Sequence, residues 1–467
     1  MLQKILDVLK IDDHEWERLK LQLLFFGIIF AGFNFLSINL LPEKLVLFID
    51  VLAVLALFCW RFPKLSFYAM IAVYPFIGWQ INYGNFNVPL ADWLALVVFT
   101  VLVWRLVTGR DKLTMKSVPG LALVALFWLS GLLSVTQAEF IGSALKYWLR
   151  PLVFFYLMYV LVPFNFIRRK RELNIVLILL VVAGLAVAML GFLSLIQGMP
   201  GQAFRRALPF AFGGFNPLGG NQNAVAEVMV VTLPLLFIFM TKVKSYRGQG
   251  ALVVLSMFVI AILLATFSRS GYLALILQVL ILAIYYLVET KRHKYIWPLV
   301  LSLTILPAIF YIAVWQNVGF VQTSTSSRLV LSGIAWSSWL SSPILGHGPG
   351  TFIDIVGQTF VFVVEFGSPL DSHGFAQKLL VEQGALGLLS YFGLLAYFLW
   401  YLVREFSREN NDRTKFQILC FVLIFSSMII FELFSTSYYQ ARFWLPLGVA
   451  LSFIRLKNAP PRIKQIS

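Results

Sequence analysis

One imidazole and a small set of arginines hold the chemistry this sequence offers. His373 stands in Asp371-Ser372-His373, a polar spot just ahead of an apolar run. An imidazole titrates near neutrality, so it is suited to take a proton from an attacking hydroxyl. Asp371 is placed to cap the helix that follows. Arg269 lies between Ser268 and Ser270 where two apolar runs meet. Arg205 and Arg206 fall in a stretch rich in Gly, Pro and Asn, 197–223, and Arg328 opens an amphipathic run, 328–342. Arg150 sits inside an apolar run, in Tyr147-Trp148-Leu149-Arg150-Pro151. Guanidinium groups present paired donors, so converging arginines make a pocket for a diphosphate or another polyanion. The plainer alternative pairs each arginine with an intramembrane acid, for which Glu227, Glu382 and Glu432 are available.

Those residues must be positioned by membrane helices. The 467 residues are 60% hydrophobic and 12% charged, with a mean hydropathy of +0.84. Soluble domains carry about a quarter charged residues. Apolar runs recur roughly at 21–40, 45–60, 65–82, 90–107, 118–135, 143–163, 174–196, 224–241, 250–267, 271–288, 296–315, 384–402, 416–434 and 442–456. Their lengths suit helices, and strand-like alternation is absent, so the chain is expected to be an all-α, polytopic bundle of about 12–14 spans. Residues 1–20 carry charges of both signs and predict a cytoplasmic interfacial helix rather than a cleaved leader. The N-terminal spans then run over 21–196, a core over 197–456 and a cytoplasmic tail over 457–467.

Charge sets the orientation. With the N-terminus inside, 28 of the 37 Lys and Arg fall on inner segments. That asymmetry predicts both termini in the cytoplasm and accounts for the net charge of +16 without nucleic acid. Nine basic residues remain outside this pattern: Lys44, Lys146, Arg150, Arg205, Arg206, Arg269, Arg328, Lys378 and Arg442. Each needs another reason to be there. For Arg150 the reason is pressing, because an unpaired charge inside a span costs at least about 2.5–3.5 kcal/mol.

One long loop, 316–375, is left on the outer face. A long ordered loop on a membrane protein is a place for chemistry or gating. Its run 328–342 predicts a helix with Leu331, Ile334, Ala335 and Trp339 on one side, lying on the outer leaflet or plugging the bundle. Gly346-His347-Gly348-Pro349-Gly350 reads as a turn before it reads as a functional histidine. A metal site from His347, His373, Asp354 and Asp371 matches no ligand spacing, so no metal or cofactor is expected. Cys59 and Cys420 stand apart in apolar runs, which gives little support for a disulfide.

Three blocks resemble the O-antigen ligase and polymerase superfamily. They are Thr266-Phe267-Ser268-Arg269-Ser270-Gly271-Tyr272-Leu273-Ala274, then Ser327-Arg328 with its Trp-rich helix leading to Ser342-Pro343-Ile344-Leu345-Gly346-His347-Gly348-Pro349-Gly350-Thr351-Phe352, then Ser372-His373-Gly374 ahead of Leu380-Val381-Glu382-Gln383-Gly384. The match covers about 200–400 and is similar to ligases and polymerases alike. The resemblance implies a glycosyltransferase of the C type in a bacterial inner membrane. Such an enzyme moves a glycan from an undecaprenyl diphosphate carrier to the hydroxyl of an acceptor glycan or glycolipid on the periplasmic face, inverting and without metal. It implies that Arg269 and one of Arg205 or Arg206 bind the diphosphate, that Arg328 assists at the rim and that His373 activates the acceptor. Two departures stand out: Gly374 replaces the family's usual Asn, and the loop Phe215–Asn223 is longer than the family's turn. A transporter of bicarbonate or another anion is the competing class, and a noncatalytic assembly partner is a third. Transport sites favour spans broken at Gly or Pro in pairs, and the sequence predicts none.

Overall fold

In the computed structural model the described residues are 43–458, apart from 79, 84–85, 110–117, 199–204, 214, 297, 299, 301–318 and 437. The expected interfacial helix 1–20, the span 21–40, most of the span 296–315 and nearly all of the tail lie outside them. Among the described residues the chain is helical except for one short hairpin. Its order is α1 (Glu43–Arg61), α2 (Pro63–Val73), β1 (Gln80–Tyr83), β2 (Phe86–Pro89), α3 (Leu90–Val107), α4 (Leu121–Val135) and α5 (Ile141–Tyr147). Two π-helical stretches follow, Trp148–Phe154 and Leu157–Leu161. Next come α6 (Val162–Phe166), α7 (Lys170–Gln197), α8 (Gln222–Met240), α9 (Tyr246–Ala265) and α10 (Arg269–Glu289). The loop region holds α11 (Gly319–Ser341), α12 (Phe352–Gln358) and α13 (Phe360–Phe366), and the chain closes with α14 (Phe375–Ser407), α15 (Asp412–Glu432) and α16 (Ala441–Asn458).

Seven of the described helices are long and apolar enough to cross a membrane: α3, α7, α8, α9, α10, α14 and α15. The bent pair within α1 and α2, turned by 117°, adds at most one more. Several expected spans are therefore shorter or interrupted, and proline explains two of them. Pro75 follows the end of α2 and cuts short the span expected over 65–82, and Pro151 lies within the first π-helical stretch, inside the span expected over 143–163. A proline removes an N–H and clashes with the preceding turn, so a helix must end or bulge there. The hairpin pairs Gln80 with Pro89 through to Tyr83 with Phe86. Ile81, Tyr83, Phe86 and Val88 alternate with polar residues there, a period-2 pattern too brief to stand out in the sequence.

Contacts between helix ends divide the bundle into two faces. Lys64 pairs with Glu172 at 2.7 Å, Lys415 with Glu289 at 2.8 Å and Lys457 with Glu405 at 3.2 Å. Lys242 donates to Asn174 at 2.6 Å and Arg455 to the Ile167 carbonyl at 2.6 Å. These contacts gather the starts of α2, α7 and α15 with the ends of α8, α10, α14 and α16. All five of those basic residues come from the majority group of the charge count. The ends of α7, α9 and α15 and the starts of α8, α10, α14 and α16 therefore share the other face. The minority arginines Arg205, Arg206, Arg269 and Arg442 lie there.

The 316–375 loop is ordered where it is described, with a small core of its own. Leu331 and Ala335 from α11 meet Phe352 and Val356 from α12, Phe362 from α13 and Val381 from α14. The helix expected over 328–342 begins earlier, at Gly319, and turns Leu331 and Ala335 inward as its spacing requires. Trp336 and Leu340 remain exposed, with the Trp336 and Trp339 rings 4.8 Å apart.

The helix α14 begins nine residues before the expected span 384–402, and its backbone breaks at that span's first residue. Gly384 interrupts α14 with φ 63° and ψ −164°. The opened backbone is filled by the Gly-rich turn. His347 and Gly348 donate their amides to the Val381 and Glu382 carbonyls, both at 2.9 Å. Ala385 and Leu386 donate to the Pro343 and Ile344 carbonyls at 2.9 and 3.2 Å. A Cβ on Gly384 would lie 2.3 Å from the Ile344 oxygen, so position 384 needs glycine for both its dihedral and its space. Since loop backbone satisfies the break, it is not left open for an ion in the manner of a transporter's discontinuous helices.

Candidate active site

Arg269 is set by a helix start. Ser268 is the N-cap of α10, and its Oγ accepts from the Gly271 amide at 3.2 Å. The same hydroxyl donates to Asn223 Oδ1 at 2.8 Å, tying this junction to the first turn of α8. Phe267, just before, is held at φ 55°, an uncommon conformation for a residue with a large side chain. The Ser-Arg-Ser sequence thus places Arg269 on the first turn of a helix, where free amides already favour an anion.

The loop carrying Arg205 and Arg206 docks against the same junction. Ala207 donates its amide to the Ala265 carbonyl at 2.8 Å, and Leu208 donates to Ser194 Oγ at 2.9 Å. The exposed Arg205 guanidinium donates to the Leu195 and Ile196 carbonyls, both at 3.3 Å, and so caps the last turn of α7. Arg206 is half-buried beside it.

His373 is held from below and from the side. Ser372 is buried, its Oγ lying 2.8 Å from the Gly374 carbonyl and 3.1 Å from Gln377 Oε1, two acceptors that share its one proton. Gln377 Nε2 then donates to Ser332 Oγ on α11 at 2.6 Å, and Ser332 Oγ donates to the Arg328 carbonyl at 2.8 Å. This relay of polar groups brings the Arg328 turn of α11 against the His373 loop. The imidazole is half-buried, and its pKa is pushed down to about 4. Burial is the main cause; the Arg328 charge adds to it, Asp371 opposes it, and Arg269 adds a further downward push. The structure therefore brings Arg269 of α10 and Arg328 of α11 within electrostatic reach of His373, just ahead of α14.

Gly374 explains one departure from the family pattern. A Cβ there would lie 2.4 Å from the Leu433 carbonyl, so the end of α15 fills the space that a larger residue would need. Replacing Gly374 with Asn forces the loop off α15. We expect a loss of about 1–3 kcal/mol in stability, read as a lower midpoint of thermal unfolding of the purified protein.

Other expected sites are placed differently. Asp371 does not cap α14, whose N-cap residue is Gly374; its two oxygens accept from Lys378 Nζ at 2.6 and 2.8 Å. Glu382, offered by the sequence to an outer arginine, pairs with Lys378 at 3.5 Å. Its Oε1 also accepts from the Phe352 amide at 3.4 Å. Glu227 pairs with Arg442 at 3.3 Å, both side chains buried. His347 Nε2 lies 2.8 Å from the Ser338 carbonyl and 3.1 Å from Ser341 Oγ, which makes it a tie between the turn and α11. Arg150 falls on the first π-helical stretch, with its side chain outside the described residues. The sequence marks Lys378 only as a cation on the minority side; the one local sign of its pairing is the i,i+4 spacing to Glu382.

Comparison with known proteins agrees with the blocks quoted above. Residues 251–392 match the O-antigen ligase family model, a stretch containing Arg269, Arg328, His373 and Glu382. The chain is also similar to the teichuronic acid biosynthesis protein TuaE of Bacillus subtilis (strain 168), at 21% identity over 360 residues covering 72% of each chain. A polytopic helical bundle and these two matches support a membrane enzyme of polysaccharide biosynthesis. Over residues 251–392 the chain is thus similar to the O-antigen ligase and polymerase superfamily.

Proposed function

We propose that this protein transfers a glycan from an undecaprenyl diphosphate carrier to an acceptor hydroxyl at the periplasmic face of a bacterial inner membrane, as a ligase or a polymerase. The observation that carries this reading is the polar relay through Ser332, Gln377 and Ser372 that sets the Arg328 turn of α11 against the loop of the half-buried His373, with Arg269 at the start of α10 near enough to act on the imidazole. His373 takes the proton of the acceptor hydroxyl as its oxygen attacks the anomeric carbon. The bond from that carbon to the diphosphate oxygen breaks on the opposite face, so the configuration inverts. The lipid diphosphate leaves as an anion. Arg269 and Arg328 neutralise it, with Arg206 beside them rather than Arg205, whose guanidinium is bound to the end of α7. Preorganised positive charge in a site of low dielectric stabilises the departing oxygen, and no metal is needed for that task. Arg150 and Glu382 stay candidates for the substrate channel and for support of the site.

A depressed histidine pKa fits this role. The free enzyme holds the imidazole neutral and ready as a base. Binding the diphosphate between the arginines offsets their charge, which raises the imidazole pKa when its basicity is required.

The test is reconstitution. The purified protein in liposomes is supplied with a lipid-diphosphate-linked glycan and an acceptor glycan or glycolipid, and the product's anomeric configuration is determined by NMR. Transfer with inversion is expected. Intact donor after prolonged incubation, together with anion flux across the same liposomes, would replace this reading with the transport alternative.

A further inference from the structure

Lys378 is a buried cation with an unusual set of neighbours. Its side chain is 1% exposed, and its Nζ meets both oxygens of Asp371, one oxygen of Glu382 and the face of Tyr147 at 5.4 Å. A buried ammonium is costly unless it is paired, and here two carboxylates and a ring face compensate it. Each partner is itself anchored. Glu382 accepts from the Phe352 amide, and its carbonyl takes the Gly348 amide and the Ser134 hydroxyl. Asp371 accepts from the Ser372 amide at 2.8 Å, one residue before His373. A continuous path thus runs from the Gly-rich turn through Glu382, Lys378 and Asp371 to the loop that presents the imidazole.

We propose that Lys378 is a positioning residue for the transfer reaction: it binds the Asp371 carboxylate, fixing the His373 loop and keeping that negative charge from pairing with the imidazole or with the guanidinium groups. The proposal rests on the glycan-transfer reading. The charged groups around His373 are Arg328 from α11, Arg269 from α10 and Asp371 from its own loop. Beyond them stand Lys378 and Glu382 on α14, Tyr147 on α5, and Glu432 at the end of α15, whose next residue Leu433 abuts Gly374. Asp371 is the acid that favours the imidazolium, and Lys378 is the cation bound directly to it. If Asp371 were released, it would turn the base into an ion pair and compete with the diphosphate for arginine.

The experiment uses the full-length protein in liposomes, with kcat and donor KM measured from pH 3.5 to 8, and with His373 titrated by NMR of histidine-labelled protein. In Lys378→Met, kcat is expected to fall on the order of tenfold or more, as for a mispositioned base, with a smaller change in donor KM. The acid limb and the His373 titration both move to higher pH, because Asp371 then acts unopposed. Adding Asp371→Asn returns the titration toward the wild-type position while kcat stays low. A role in folding alone would not be reversed in this way. Asp371→Asn by itself retains the Lys378–Glu382 pair, changes a partly exposed residue, and is expected to move the His373 titration down and to lower kcat.

Wild-type kcat and titration in Lys378→Met would overturn the proposal. Where that variant fails to accumulate, the same result in Asp371→Asn overturns it. The NMR titration reads the Lys378–Asp371 effect whether or not glycan is transferred. Absence of transfer by the wild-type protein therefore counts against the glycan-transfer reading, and an unmoved titration counts against Lys378.

Discussion

Replacing His373 with Ala lowers glycan transfer by roughly 10²–10⁴-fold, the contribution of a positioned general base, while the protein still inserts and accumulates. The imidazole is half-buried in a loop whose anchors are Ser372, Gln377 and Ser332, so its loss leaves that scaffold in place. The pH profile gives the sign. A solvent-exposed histidine with pKa about 6.5 begins to protonate below neutrality. His373 is held down to about 4, so kcat/KM stays level through mildly acidic pH and falls only as pH approaches that value. Arg328→Gln removes a charge that disfavours the imidazolium, and the acid limb moves to higher pH. The limb for kcat lies above the limb for kcat/KM, because bound diphosphate offsets the arginines. A limb at pH 6–7 for the free enzyme, or full activity of the His373→Ala variant, would remove the imidazole from the chemistry.

Loss of Arg269 should be nearly as severe. Arg269→Ala is expected to cost on the order of 10²–10³ in kcat, comparable to removing one donor from a preorganised anion site. Arg269→Lys recovers only part of this, since an ammonium offers a point charge where the guanidinium offers a planar fork. Arg205→Ala supplies the contrast. Its exposed guanidinium caps the last turn of α7, so that variant loses a few tenths to about 1 kcal/mol of stability and keeps transfer. Equal losses in Arg205→Ala and Arg269→Ala would contradict this assignment. The measurement is single-turnover transfer with saturating lipid-linked donor, which separates chemistry from product release.

The helical, membrane-spanning class of the protein is written locally in its sequence. Apolar runs of the right length leave the backbone no alternative in a bilayer to pairing within its own helix. The division of basic residues is equally local, and the bundle's two faces follow it: Lys64, Lys242, Lys415, Arg455 and Lys457 gather at one face. Ser268 announces the start of α10, and with it the place of Arg269, because capping is decided within four residues. The inward side of α11 was legible for the same reason, from the spacing of Leu331 and Ala335.

Partnerships across the chain were decided only by the tertiary structure. Arg328 acts on His373 electrostatically because Ser332 on α11 meets Gln377 on α14, residues that are 45 apart in sequence. Glu382 goes to Lys378, one turn earlier on the same helix, and Arg205 goes to a helix end; composition alone allowed other partners equally well. The break at Gly384 shows only when the turn 343–348 lies against it and supplies the missing hydrogen bonds. Periodicity and capping act over one or two helical turns, so the sequence by itself settled the helical class, the start of α10 and the inward side of α11. Which charges converge depends on how distant helices pack, and that arrangement puts Arg269 and Arg328 within electrostatic reach of His373.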